Sequence, residues 1–228
     1  MPVHIPEILT PDQVAECRRL VAAGSWVDGR STAGPQAAHS KKNMQLAPEC
    51  TKAAAARAVI LQALSDGLLF RSLALPRLIY PPMFNRYEEG MTYGLHVDNS
   101  VQTIPGANGQ MMRADLSATL FLSDPEEYDD GELELVTDSG SELIRLPAGD
   151  MIVYPTTMLH RVTPVTRGNR VASFFWIQSL VRDAASRSLL FALDRSIIDL
   201  RSRTQPDDPA VLSLTNVYHN LVRQWCDA

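Results

Sequence analysis

Apolar positions in the first 25 residues recur at helical intervals. Val14, Cys17, Leu20 and Val21 share one face, and Gly24 ends the run. The start is also marked: Thr10 is a capping residue, Pro11 suits the first helical position, and Gln13 completes a capping box with Thr10. Trp26-Val27 reads as a short strand. A second helix is predicted over about 51–64, where four consecutive alanines precede an apolar Val59-Ile60-Leu61 face and Asp66-Gly67 closes the segment.

From Leu75 onward the period changes. Short β-rich runs at 78–80, 83–87, 116–122, 133–136, 143–146, 151–154, 161–165 and 171–177 are separated by turn residues. These include Pro81-Pro82, Asp130-Gly131, Ser139-Gly140 and Arg167-Gly168-Asn169. No helix-length segment lies between consecutive strands of this block. The expected fold is therefore mainly β with flanking helices, built on a double-sheet jelly-roll rather than on βαβ units. After Gln178 the helical period returns with Leu189, Leu190, Ala192, Leu193, Ile197, Ile198 and Leu200. A break at 204–209 precedes a last helix carrying Val211, Leu212, Leu214, Val217, Leu221 and Trp225.

Three regions follow: an N-terminal helical and strand region over 1–76 that packs on the core, a β core over 77–180, and a C-terminal helical extension over 181–228. The apolar stripes of the extension are wide for helices that cover one surface. They are candidates for a homo-oligomer contact, although packing on the barrel would use the same residues.

Composition narrows the choice of partner. Lys and Arg number 21 against 26 Asp and Glu, a net charge of −5, which gives no general pull on nucleic acid or an anionic membrane. Apolar runs are too short to span a bilayer, and the N-terminus has no basic region followed by an apolar stretch. Cys17, Cys50 and Cys226 lie far apart and form neither a disulfide framework nor a zinc spacing. A cytoplasmic location is expected.

The candidate chemistry is concentrated in few residues. His96 and Asp98 stand two apart in Tyr93-Gly94-Leu95-His96-Val97-Asp98, so on a strand both face the same side. His160 follows 64 residues later, and Arg170 ten beyond it. Two imidazoles and one carboxylate make the facial triad of non-haem Fe(II) oxygenases, with coordination positions left open. A lone His-x-Asp arises by chance, and a strand-end histidine can simply bond to backbone; the four residues together are far more specific. Arg170 could grip a carboxylate with two hydrogen bonds. His4, His39 and His219 read as surface or structural residues. The polar segment from Ser40 to Gln45 suits a pocket mouth and a solvated loop equally well.

The longer text resembles the bacterial PKHD-type hydroxylases, prolyl-4-hydroxylase-like members of the Fe(II)/2-oxoglutarate dioxygenases that are often associated with iron uptake. The resemblance is carried by Asn85-Arg86-Tyr87-Glu88-Glu89-Gly90, Tyr93 to Asp98, Arg113 to Leu122, Gly131-Glu132-Leu133, Pro147-Ala148-Gly149, Tyr154-Pro155, Leu159-His160, Pro164-Val165-Thr166, Arg170 and Trp176 to Ser179. It implies a double-stranded β-helix core, with His96, Asp98 and His160 as iron ligands and Arg170 clamping the C5 carboxylate of 2-oxoglutarate. It also implies places for Tyr87 near the cosubstrate and for Trp176 in the pocket, positions that a core aromatic would fit as well. Asp130 stands where the family leads one to expect glycine.

The implied reaction uses Fe(II), 2-oxoglutarate and O2, with ascorbate as a candidate reductant. It hydroxylates a substrate and releases succinate and CO2. Peptidyl proline, a free small molecule and an iron-chelating metabolite all remain open as substrate, because a shared fold does not carry substrate choice with it. A non-catalytic Fe(II)- and 2-oxoglutarate-binding sensor of iron status would use the same residues.

Overall fold

The computed structural model describes residues 2–32 and 39–227. Its strands are β1 Val3–Ile5, β2 Trp26–Asp28, β3 Lys41–Lys42, β4 Met44–Leu46, β5 Pro76–Ile79, β6 Met83–Tyr87, β7 Thr92–His96, β8 Val101–Thr103 and β9 Met111–Arg113. They continue with β10 Leu116–Phe121, β11 Tyr128–Asp130, β12 Leu133–Thr137, β13 Gly140–Ile144, β14 Met151–Pro155, β15 His160–Val162, β16 Val165–Gly168 and β17 Arg170–Ser179. The helices are α1 Pro11–Ala22, α2 Thr51–Asp66, α3 Leu68–Ala74, α4 Ala184–Arg203 and α5 Pro209–Trp225. The α1 cap is the one expected: Thr10 Oγ1 accepts from the Gln13 amide, and the Gln13 side chain accepts from the Thr10 amide.

Two antiparallel sheets face each other. The larger runs β1-β14-β10-β17-β6-β4-β2, with β5 also on β17, and the smaller runs β13-β12-β15-β7-β3. Alternation along the large sheet separates two environments. Leu116, Ala118, Leu120, Met151, Val153, Phe84, Phe175 and Ile177 join Cys17, Ile60 and Phe70 in a core under α1–α3. The opposite face, with Phe121, Ile152 and Tyr154, meets Leu133 and Leu135 of the small sheet. β10 is consequently buried at all six positions. The space between the sheets holds the cavity.

Residues 1–76 do more than pack on this core, because β1, β2, β3 and β4 are integral strands of the sheets. The segment 41–46 changes sheet midway: Lys41 and Lys42 pair with β7, whereas Met44 and Gln45 pair with β6. The stretch read as one strand at 161–165 is two, because β15 pairs with β12 and β7, while β16 pairs with β11. The run expected at 143–146 lies earlier, at Gly140–Ile144. At the C-terminus α4 packs against α3 and α5, and a bridge from Val181 to Cys226 ties the end of the chain to the end of β17. No single helix among the described residues is long and apolar enough to cross a membrane.

Candidate metal centre

β7 and β15 pair so that His96 lies opposite His160, and Asp98 follows two residues after His96. One donor atom from each of the three can be chosen so that all lie within 4.8 Å of one another. The ring orientations are fixed by backbone. His96 Nδ1 is 2.8 Å from the Gly94 carbonyl, and His160 Nδ1 is 3.0 Å from the Met158 carbonyl. A carbonyl can only accept, so each Nδ1 carries the proton and each Nε2 is left with its lone pair facing inward. The two Nε2 atoms lie 3.9 and 3.8 Å from the Asp98 oxygens. That is too long for hydrogen bonds and fits two metal–ligand bonds of roughly 2 Å sharing one ion.

The surroundings favour neutral imidazole and a fixed carboxylate. Burial, and then repulsion from His160, hold His96 well below the ordinary imidazole range. Tyr93 stacks on His96 with ring centroids 3.7 Å apart, and Tyr154 meets His160 edge-on at 5.2 Å. Ser117 Oγ donates to Asp98 Oδ2 at 2.7 Å and lies 3.1 Å from Thr156 Oγ1. The carboxylate is oriented by this pair from β10 and the turn after β14.

Arg170 begins β17 and is 1% exposed. Its guanidinium lies between the Tyr87 ring at 5.5 Å and the Phe121 ring at 5.1 Å. Its Nε and Nη1 have no hydrogen-bond partner among the described residues. A buried cation with idle donors is costly unless an anion reaches it. Tyr87 is opposite Arg170 in the β6–β17 register, and Trp176 is opposite Ser117 in the β10–β17 register. Tyr87 therefore sits at the arginine end of the cavity, and Trp176 at the triad end against Tyr80 and Phe174. Burial raises Tyr87 to about 12, so its hydroxyl keeps its proton near neutral pH.

Apart from Phe121 and Tyr80, which stand behind the wall, these side chains line one cavity of about 930 Å³, within the range of small-molecule sites. The other histidines lie apart: His4 binds Asp150, while His39 and His219 are exposed. Within the segment from Ser40 to Gln45, Lys41–Lys42 and the start of Met44–Leu46 are strand, and Lys41, Asn43 and Gln45 are buried on the cavity wall. Lys41 is pulled down to about 8 by burial, against the opposing pull of Asp98 and Asp28. The sequence does not single out Ser117, Thr119 or Asn85, which also line the cavity. The signal available was polar residues alternating with apolar ones in otherwise buried strands.

Comparison with known proteins adds two kinds of finding. The sequence model of the 2OG-Fe(II) oxygenase superfamily matches residues 82–178, and that of the PKHD-type hydroxylase C-terminal domain matches 184–227. A PKHD-type hydroxylase of Caulobacter vibrioides is 55% identical over 227 residues, covering 100% of both chains. Another from Gluconacetobacter diazotrophicus is 52% identical over 226 residues, covering 99% of each. In fold alone, the chain is similar to HygX of Streptomyces hygroscopicus, solved with nickel and 2-oxoglutarate bound: TM-score 0.54 and 17% identity over 79% of this chain and 84% of that one. A Pseudomonas putida prolyl-4-hydroxylase gives TM-score 0.50 and 22% identity over 78% and 92%.

Proposed function

Because the chain belongs to the PKHD-type hydroxylase family, Fe(II)- and 2-oxoglutarate-dependent dioxygenases, we propose that His96, Asp98 and His160 hold its iron and that Arg170 holds its cosubstrate. The observation that carries the ligand assignment is the inward Nε2 pair facing Asp98, with both Nδ1 atoms committed to backbone carbonyls. The observation that carries the clamp is a buried guanidinium with two idle nitrogens at the far end of the same cavity.

Iron, 2-oxoglutarate and O2 together supply hydroxylation of a substrate C–H bond, with succinate and CO2 released. The residues of this chain do the rest. Ser117 holds Asp98 in one orientation through Oδ2. Tyr93 and Tyr154 wall the two imidazoles and limit water around the metal. Arg170 presents a planar fork that suits the C5 carboxylate, and Tyr87 and Phe121 flank it so that the fork cannot swing away. Trp176 stands at the triad end, where the substrate would enter.

The decisive measurement is anaerobic equilibrium dialysis with Fe(II). Wild type should retain one ion per chain, and His160→Ala should stay folded by circular dichroism with little retained. Unchanged stoichiometry in the variant would show that the third ligand is misassigned. Three free cysteines support a cytoplasmic site of action. The half-exposed Leu189, Ile198, Leu212 and Val217 on α4 and α5 support a homo-oligomer formed through the C-terminal helices.

A further inference from the structure

We propose that Asn85 reads the substrate through paired hydrogen bonds, and that the substrate joins a neutral carboxamide to an apolar body. This rests on the iron and 2-oxoglutarate assignment above. Asn85 lies on β6, where alternation turns Met83, Asn85 and Tyr87 to the cavity and Phe84 to the core under the helices. Asn85 is 8% exposed, and its Oδ1 is buried with no hydrogen-bond partner among the described residues. A buried carbonyl without a donor is costly, so an unanswered one on a cavity wall marks where a ligand donates.

The register places this amide between the two ends of the cavity. Asn85 is opposite Ala172, one row from the Tyr87–Arg170 pair and one row from the Met83–Phe174 pair. Rows on one face of a sheet are about 7 Å apart. Trp176 stands one row beyond Phe174, at the triad end. On the β17 side the row of Asn85 continues with Ala172 and Phe121, neither of which has a side-chain donor.

These neighbours set the chemistry of the head. A cationic head would lie one row from the buried Arg170 guanidinium, and an anionic one would lie beside the cosubstrate carboxylate that Arg170 holds. Both are unfavourable in a cavity with little water, which leaves a neutral head. Asparagine carries one acceptor and one donor group, and a half-turn about χ2 exchanges their places. A carboxamide matches both at once with two parallel hydrogen bonds. A ketone or ester offers acceptors alone and cannot answer Oδ1.

The next two rows set the body. Met83, Phe174 and Trp176 line the cavity and are each partly exposed. From Asn85 they run about 14 Å toward the triad, so the bond to be hydroxylated belongs to the apolar body, several carbons from the amide. At about 930 Å³ the cavity far exceeds what a five-carbon diacid fills, which leaves room for such a body beside the cosubstrate.

The test uses the full chain loaded with Mn(II) and saturating 2-oxoglutarate. The probes are 4-phenylbutanamide, 5-phenylpentan-2-one and 4-phenylbutan-1-ol, which share an apolar body and differ in the head. Paramagnetic broadening of the probe protons reports binding and orientation without any turnover. The amide should bind wild type about tenfold or more tighter than the ketone. Its ring protons should broaden more than those beside the amide. In Asn85→Leu and Asn85→Ala the advantage of the amide should vanish while the ketone binds as before; two variants guard against one of them misfolding. Equal affinity of amide and ketone for wild type, or an amide advantage kept in both variants, would overturn the proposal. So would an alcohol bound as tightly as the amide, because the head would then be a hydroxyl. A 2-oxoglutarate affinity that falls in both variants as far as the amide affinity would assign Asn85 to the cosubstrate and overturn it too. If wild type takes up neither Mn(II) nor 2-oxoglutarate, the iron-site assignment itself fails and the proposal falls with it. Calorimetric titration of those two components alone separates that result from the others.

Discussion

Two idle guanidinium nitrogens at 1% exposure give Arg170 a measurable signature. Arg170→Ala removes a charge-assisted pair from a desolvated site, a loss of about 2–5 kcal/mol. Anaerobic titration of the iron–cosubstrate absorption should then show 2-oxoglutarate affinity reduced roughly 30-fold to several thousand-fold. Arg170→Lys keeps the charge but loses the fork, and should lie between the two. Fe(II) retention should change little in either variant, since no hydrogen bond or ion pair joins Arg170 to a triad residue among the described residues; equal 2-oxoglutarate affinity in wild type and Arg170→Ala would place the clamp elsewhere. At this scale the sequence is legible where chemistry repeats over short distances. His96 and Asp98 are two apart on one segment, and Arg170 follows His160 closely. Ser117 is not legible, because a serine acquires a role only when the fold brings a residue from outside its own segment beside it. Asp130 shows why glycine is expected there. Both it and Gly131 take left-handed φ, +56° and +67°, beside a bulge in the β11–β16 pair. Aspartate is among the few other residues that tolerate this region.

The segment 41–46 joins two sheets and brings Lys41, Asn43 and Gln45 to the cavity, so its seat against β7 matters to the whole site. Gly94 allows that seat. Its amide donates to the Ser40 carbonyl at 2.9 Å, and a Cβ on it would come within 2.6 Å of the Ser40 Cβ. Gly94→Ala should therefore destabilise the fold by about 1–3 kcal/mol in urea denaturation, the usual range for overpacking. Adding Ser40→Gly removes the atom that is struck and should restore part of the loss. A double variant no more stable than Gly94→Ala would mean that the strain lies elsewhere. The long strands β6, β10, β14 and β17 are predictable because each has enough residues to show alternation or a continuous apolar run. β3 and β4 have two and three residues, too few for any period to appear, and exist because β7 and β6 offer them partners. α3 also escapes prediction, since Gly67 breaks the apolar run and only the bend into Leu68–Ala74 restores a helix.

The C-terminal helices belong to the molecule as a whole. α4 is anchored to α3, where Ser72 bonds Asp194, and Asp227 reaches Arg113 at the end of β9. Their apolar residues are thus partly used within the chain, yet Leu189 and Leu212 remain 61% and 57% exposed. Light scattering of the full chain should give a mass above that of one chain, and Leu189→Lys with Leu212→Lys should lower it to the monomer without unfolding; a wild-type monomer would refute the assembly. The jelly-roll is legible in the rhythm of strands after Leu75, but the contribution of residues 1–76 to both sheets is not, because partners from about 40 to 150 residues away leave no local pattern.

That long-range pairing bears on how the chain matures. β1 and β2 form the two outer edges of the large sheet, and both come from the first 28 residues. β1 lies on β14, with Val3 opposite Val153. During synthesis β1 is made about 150 residues before β14, so it has no place to bind until most of the core has followed. Once β14 has formed, its edge is bare backbone of the kind that recruits other chains until β1 docks on it. β1 is in effect the closing latch of the sheet, and a change that loosens its seat on β14 would delay closure when the unfinished sheet is most prone to stick to its neighbours.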